Sequence, residues 1–132
     1  MTITAPRHTF KKNERLHHRK VIDQMFTGKG KSIPVFPLRA VFMEIEGADY
    51  PPVSVLISVP KRKFKRAVHR NRIKRQIREC YRLHKEILIP TIASQEKKLA
   101  VAFLWLSDEF YATAELEKRM VRLLHIIKEK CV

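Results

Sequence analysis

The chain has 132 residues, 45% of them hydrophobic and 31% charged, enough for one domain with a packed core and too apolar for wholesale disorder. Lys and Arg number 28 against 13 Asp and Glu, a net charge of +15, and so basic a domain points to a polyanionic partner, nucleic acid or an anionic membrane surface. No apolar run approaches the ~20 residues of a membrane span, residues 1–12 lack the apolar stretch of an export signal, and two cysteines make no disulfide framework. The expectation is therefore a cytoplasmic protein with reduced thiols at Cys80 and Cys131.

Residues 1–9 read as a flexible basic tail and 10–132 as a single domain. Residues 13–26 read as a helix, with Val21, Ile22, Met25 and Phe26 as its apolar stripe and Gly28 and Gly30 ending it. Residues 33–46 read as one strand, in which Phe36, Leu38, Ala40 and Phe42 alternate with Pro37, Arg39, Val41 and Met43. Pro34 and Pro37 confine its first part to an edge or an irregular lead-in. A turn at 47–52 leads to a second strand at 53–59, rich in β-branched residues, and a basic loop at 60–65.

The spacing then predicts a long helix over 66–88, closed by Pro90. Residues 99–106 form a strand apolar enough to be buried on both faces, with Trp105 in the core. A last helix covers 113–130, with Thr113 as N-cap and Leu116, Met120, Leu123, Leu124 and Ile127 along one side. The mixture predicts an α+β fold: a two-layer α/β sandwich with a small mixed sheet and helices packed on it.

The charge is concentrated in two blocks. Residues 61–85 hold twelve basic side chains and one acid, Glu79; residues 7–31 hold eight against Glu14 and Asp23. On a wheel of 100° per residue, Ile73, Ile77, Cys80, His84 and Ile87 fall on one narrow side, facing a sheet, with His84 expected buried and hydrogen-bonded. Asn71, Lys74, Arg75, Arg78, Arg82 and Lys85 fill the opposite arc with no acid among them, and Arg70 and Arg72 flank it. A solvated helix ordinarily mixes signs, because like charges one turn apart repel. Arginine dominates, and its planar fork grips phosphate bidentately and stacks on bases, which suits structured RNA. A basic amphipathic membrane helix is the competing reading, but it needs a wider apolar face.

The string from Lys65 to Glu79, with Arg70-Asn71-Arg72 followed by Ile73-Lys74-Arg75 at its centre, closely resembles the signature of the bacterial ribonuclease P protein family. Ser58-Val59-Pro60-Lys61-Arg62 resembles that family's strand end and basic turn, and Lys11 to Leu16, followed by a helix ending in Phe26 and Gly28, its opening. The resemblance spans residues 10–128. It implies a sandwich with a left-handed βαβ crossover and a protein that assists removal of the 5′ leader from precursor tRNA. The chemistry would belong to a catalytic RNA subunit with bound Mg²⁺, the protein contributing no catalytic residue, metal or cofactor. The implied partners are that RNA and precursor tRNA, not DNA and not a membrane.

Carried onto this chain, the resemblance assigns Lys61, Arg62, Lys65, Arg66, Arg70, Asn71, Arg72, Lys74, Arg75 and Arg78 to the RNA subunit. It assigns Ile22, Phe26, Arg39 and Phe42 to a cleft for the single-stranded leader. The chain departs from the family where Ile22 and Arg39 stand in place of frequent aromatics, and Phe26 and Phe42 read equally as core residues. Six scattered histidines have no metal spacing, and Glu44, Glu46 and Asp49 read as solvated turn carboxylates. Two rival readings are a ribosomal-type structural RNA-binding protein and a self-sufficient nuclease; the second lacks an acid or metal cluster in the sequence.

Overall fold

A computed structural model of the chain describes residues 14–16 and 18–131. The expected tail at 1–9 and the resemblance at Lys11, Lys12 and Asn13 lie outside the described residues. Four strands, β1 (Lys31–Val35), β2 (Leu38–Ile45), β3 (Val53–Ser58) and β4 (Lys98–Trp105), form one sheet in the order β1-β2-β4-β3. The pairs β1–β2 and β2–β4 are antiparallel and β3–β4 is parallel, so the sheet is mixed. The parallel pair is joined by the crossover helices α2 (Ala67–His84) and α3 (Ile89–Ser94). Helices α1 (Arg19–Gln24) and α4 (Thr113–Cys131) complete the α+β fold.

The pleat of β4 explains the layers. Leu99, Val101, Phe103 and Trp105 point to one face, where they meet Ile73, Ile77, Cys80 and Tyr81 of α2 and Leu116, Met120, Leu123, Leu124 and Ile127 of α4. Ala100 and Ala102, fully buried, point to the other, where Leu16, Met25, Val41 and Ile45 form a smaller cluster with Val21 and Ile22 packed against it. A strand covered on both sides has no need of polar alternation, hence its continuous apolar run.

Three predicted elements are divided differently. The strand expected over 33–46 is a hairpin, β1 and β2, broken at a cis Phe36–Pro37 bond, and the Pro37 carbonyl accepts the amide of Leu106 at 2.8 Å. The alternation of apolar residues continues through the turn, so period alone conceals it. The helix expected from residue 13 begins at Arg19. Before it, Arg15 forms a parallel bridge to Val55, and the Leu16 amide donates to the Val55 carbonyl at 2.8 Å, which buries the Leu16 side chain. The long helix ends at His84 and passes through a 3₁₀ turn, Lys85–Ile87. Pro90 opens α3 in its first turn, where no amide is needed, rather than closing α2.

One cap differs as well. Ala112, not Thr113, supplies the carbonyl that accepts the first amides of α4, from Glu115 and Leu116. Thr113 lies inside the helix, and its Oγ1 accepts from Gln76 Nε2 at 3.1 Å. After α1 the chain leaves helical geometry within Met25–Lys29, at Thr27 and at Gly28, which adopts φ +103°. At Gly30 a Cβ would fall 2.6 Å from both the Met25 carbonyl oxygen and a Val41 methyl, so only glycine lets β1 start there.

Candidate RNA interface

Helix α2 is amphipathic as predicted, and its outward face carries cations. Arg66, Asn71, Arg72 and Arg75 are exposed, and Lys74 and Arg78 half-buried. Among the described residues no carboxylate pairs with any of the cations in that group. The helix N-terminus compounds this. Arg66 occupies the N-cap position with no side-chain cap, and the first turn holds no acid. Helix dipoles favour anions at that end, so Lys65, Arg66 and Arg70 stand against the dipole and a phosphate placed there relieves both.

The arc is shorter than the wheel predicts. Lys85 is buried, and its Nζ lies 3.0 Å from both oxygens of Glu14. Arg82 hydrogen-bonds and ion-pairs with Glu79, one turn back, which holds the Glu79 carboxyl below the usual range. The arc thus ends at Arg78. His84 is half-buried rather than buried, and its Nε2 meets Glu117 Oε1 of α4 at 2.6 Å.

Two signature residues have structural partners of their own. Arg70 Nη1 donates to the carbonyls of Phe64 and Lys65, both at 2.8 Å, which ties the basic loop to the start of α2. Lys61, Arg62 and Lys65 are exposed on that loop. Arg72 lays its guanidinium carbon 4.3 Å from the ring centroid of Phe110, in the segment between β4 and α4. Phe110 also touches Phe64 at 4.9 Å and His69 at 5.3 Å. Sequence reasoning missed Phe110, because the Phe110-Tyr111 pair sits in a short connecting segment that carries no helical or strand period.

The residues expected in the leader cleft do not all share a face. Ile22 packs on the α1 face of the sheet and Phe26 is 47% exposed beside it. The strand register puts Arg39 on that same face, level with Leu104 and Ser58, and its Nε donates to Ser32 Oγ at 2.6 Å. Phe42 points the other way. It is buried in the main core, so its aromatic ring is closed off from the cleft. Val41 and Met43, one residue either side, occupy the α1 face instead, as the pleat requires.

The family profile for ribonuclease P matches residues 10–128 of this chain. The chain belongs to the ribonuclease P protein family. It is 38% identical over 124 residues to the ribonuclease P protein component of Porphyromonas gingivalis, covering 91% of this chain and 90% of that one. Over 88 residues, 64% of this chain and 56% of the other, it is 40% identical to the ribonuclease P protein component of Chlorobaculum tepidum. The fold matches the ribonuclease P protein of Thermotoga maritima with a TM-score of 0.68 at 22% identity, covering 85% of this chain and 96% of that one. It also matches that of a Staphylococcus aureus ribonuclease P protein mutant with defective mRNA degradation activity, with a TM-score of 0.69 at 21% identity and coverage of 89% and 90%. No helix among the described residues is long and apolar enough to cross a membrane, and no three His, Cys, Asp or Glu residues there are placed to hold a metal ion.

Proposed function

We propose that this chain is the protein subunit of ribonuclease P, working in the cytoplasm, where it binds the catalytic RNA subunit and the single-stranded 5′ leader of precursor tRNA. The observation that carries the reading is the acid-free face of α2 within a family match over residues 10–128. Asn71, Lys74, Arg75 and Arg78 take phosphates of the RNA subunit along the helix, Arg66 and Lys65 take them at its N-terminus, and Lys61 and Arg62 extend the contact onto the loop. Arg70 holds that loop in place. The leader lies on the opposite side of the sheet, along Ile22 and Phe26 and over the Arg39–Leu104–Ser58 row. Because Ser58 ends β3 two residues before the basic loop, the two RNA paths meet at Lys61 and Arg62.

In this reading the protein removes no proton and binds no metal. Mg²⁺ at the RNA subunit supplies the hydrolytic chemistry, and the protein lowers the electrostatic cost of bringing two polyanions together. The experiment mixes the protein with a bacterial ribonuclease P RNA and precursor tRNA at low Mg²⁺. Leader removal that requires both RNA and protein supports the proposal. Binding without improved cleavage returns the ribosomal-type alternative, and cleavage by protein alone returns the self-sufficient nuclease.

A further inference from the structure

The cations of the signature are not equivalent. Most are free of an aromatic neighbour among the described residues, but Arg72 places its guanidinium over an aromatic ring. Its guanidinium carbon is 4.3 Å from the Phe110 centroid, while Phe64 and His69 close around the same ring at 4.9 and 5.3 Å. Phe110 is 38% exposed and Phe64 is buried, so the block is rooted in the core at one side and open at the other. The segment that carries Phe110 is fixed to α2: Gln76 Nε2 donates to the Tyr111 carbonyl at 2.9 Å and to Thr113 Oγ1 at 3.1 Å.

Arg72 already occupies a position over the Phe110 ring, and Phe64 and His69 flank the same ring. Arg72 itself is exposed, so a partner can reach it from the side away from the ring. A guanidinium gripping phosphate uses its edge, whereas one lying on a ring already offers a plane. We propose that Arg72, held over the Phe110 ring, is a stacking platform for one unpaired nucleobase of the RNA subunit, with Phe110 as its positioning residue. The proposal rests on the ribonuclease P reading and adds the mode of contact. An unpaired base fits because stacking on arginine and aromatic planes is how proteins read single-stranded RNA, while a duplex presents phosphates and 2′-hydroxyls.

The test measures equilibrium binding of the full chain to a bacterial ribonuclease P RNA across a range of salt concentrations. Variants are Arg72→Lys, Phe110→Leu, Phe110→Tyr, the Arg72→Lys/Phe110→Leu double and Arg75→Gln, each checked by thermal melting. Lysine keeps the charge and loses the plane. Arg72→Lys is therefore expected to weaken binding about tenfold with an unchanged salt slope. Phe110→Leu does the same, Phe110→Tyr restores binding, and the double is no weaker than Arg72→Lys alone, since Phe110 acts through Arg72. Arg75→Gln, by contrast, lowers the log–log slope by about 0.7–0.9, as loss of one phosphate contact requires. A general loosening of the loop would not spare the salt slope, be rescued by tyrosine and vanish in the Arg72→Lys background together. If wild-type protein binds tightly and Arg72→Lys stays within twofold of it, or Phe110→Leu adds its full loss to Arg72→Lys, the stacking platform is wrong while the family reading stands. If wild-type protein itself binds this RNA no better than an unrelated one, the reading beneath the proposal fails and the proposal with it.

Discussion

Lys85 and Glu14 lie 71 residues apart in the chain, yet the Lys85 ammonium sits 3.0 Å from both Glu14 carboxylate oxygens, with side chains only 6% and 14% exposed. The pair fastens the segment before α1 to the end of α2. Removing one member leaves the other charge buried, which costs about 3 kcal/mol. Lys85→Ala is expected to lower the melting temperature by several degrees. Calorimetry of Lys85→Ala beside Lys128→Ala checks this, since half-buried Lys128 has no ion-pair partner among the described residues and its loss leaves the melting temperature within a degree or two of wild type.

Charge reversal should separate the docking face from the rest of the surface. Arg75→Glu removes one cation and installs one anion in a row without acids, whereas Lys118→Glu alters an exposed position on α4. Filter binding to ribonuclease P RNA should show a loss of at least tenfold for Arg75→Glu and less than threefold for Lys118→Glu. Equal losses would mean that charge acts globally rather than through α2.

Arg70 makes a different prediction from its neighbours. Its Nη1 spans two carbonyls of the basic loop, so Arg70→Gln should free that loop as well as remove a charge. Amide hydrogen exchange in the free protein should speed up across residues 61–66 in Arg70→Gln and remain unchanged in Arg75→Gln. Those two hydrogen bonds from a charged donor are worth about 1.5–3 kcal/mol each.

The two phenylalanines assigned to the leader cleft should part company. Phe42→Ala hollows the main core and should cost about 3–5 kcal/mol of stability. Phe26→Ala, at an exposed position, should leave melting nearly unchanged and weaken binding of precursor tRNA relative to tRNA without a leader, by about fivefold if one base stacks there. Equal leader dependence in wild type and Phe26→Ala would remove Phe26 from the cleft.

Burial pushes the Cys80 thiol up to about 11 from 9.0, and burial also raises Cys131. The folded state thus disfavours the Cys80 thiolate, and the unfolded chain loses that proton first as pH rises. Stability from the neutral thiol is complete below about pH 9 and is lost progressively between about pH 9 and 11. Chemical denaturation should show a decline over that window that is shallower in Cys80→Ala. At pH 8, iodoacetamide should label Cys80 only after unfolding.

Much of this architecture can be read before any coordinates exist. Strand β4 announces itself as an apolar run, α4 by its stripe, and α2 by a basic arc opposite Ile73 and Ile77, because burial on one side imposes a period that local sequence must obey. What period cannot convey is where one element becomes two. Leu38 and Ala40 continue the alternation begun by Phe36, so the hairpin turn at Pro37 is hidden. Nor can a wheel reveal a partner far away in sequence, and Lys85 looks like any other cation of the arc until Glu14 is placed beside it. Phe110 and the true orientation of Phe42 belong to the same class of fact, since both are set by which surface another element covers.

Ala100 and Ala102 belong to the small cluster of Leu16, Met25, Val41 and Ile45 against which Val21 and Ile22 of α1 pack. Their methyl groups are the smallest side chains that still fill the layer between β4 and Met25. Exchanging either for valine would act like a thicker shim beneath Met25, raising the layer that carries Val21 and Ile22 and leaving every cation of α2 untouched on the far side. The face proposed for the leader can therefore be adjusted from beneath, by volume alone.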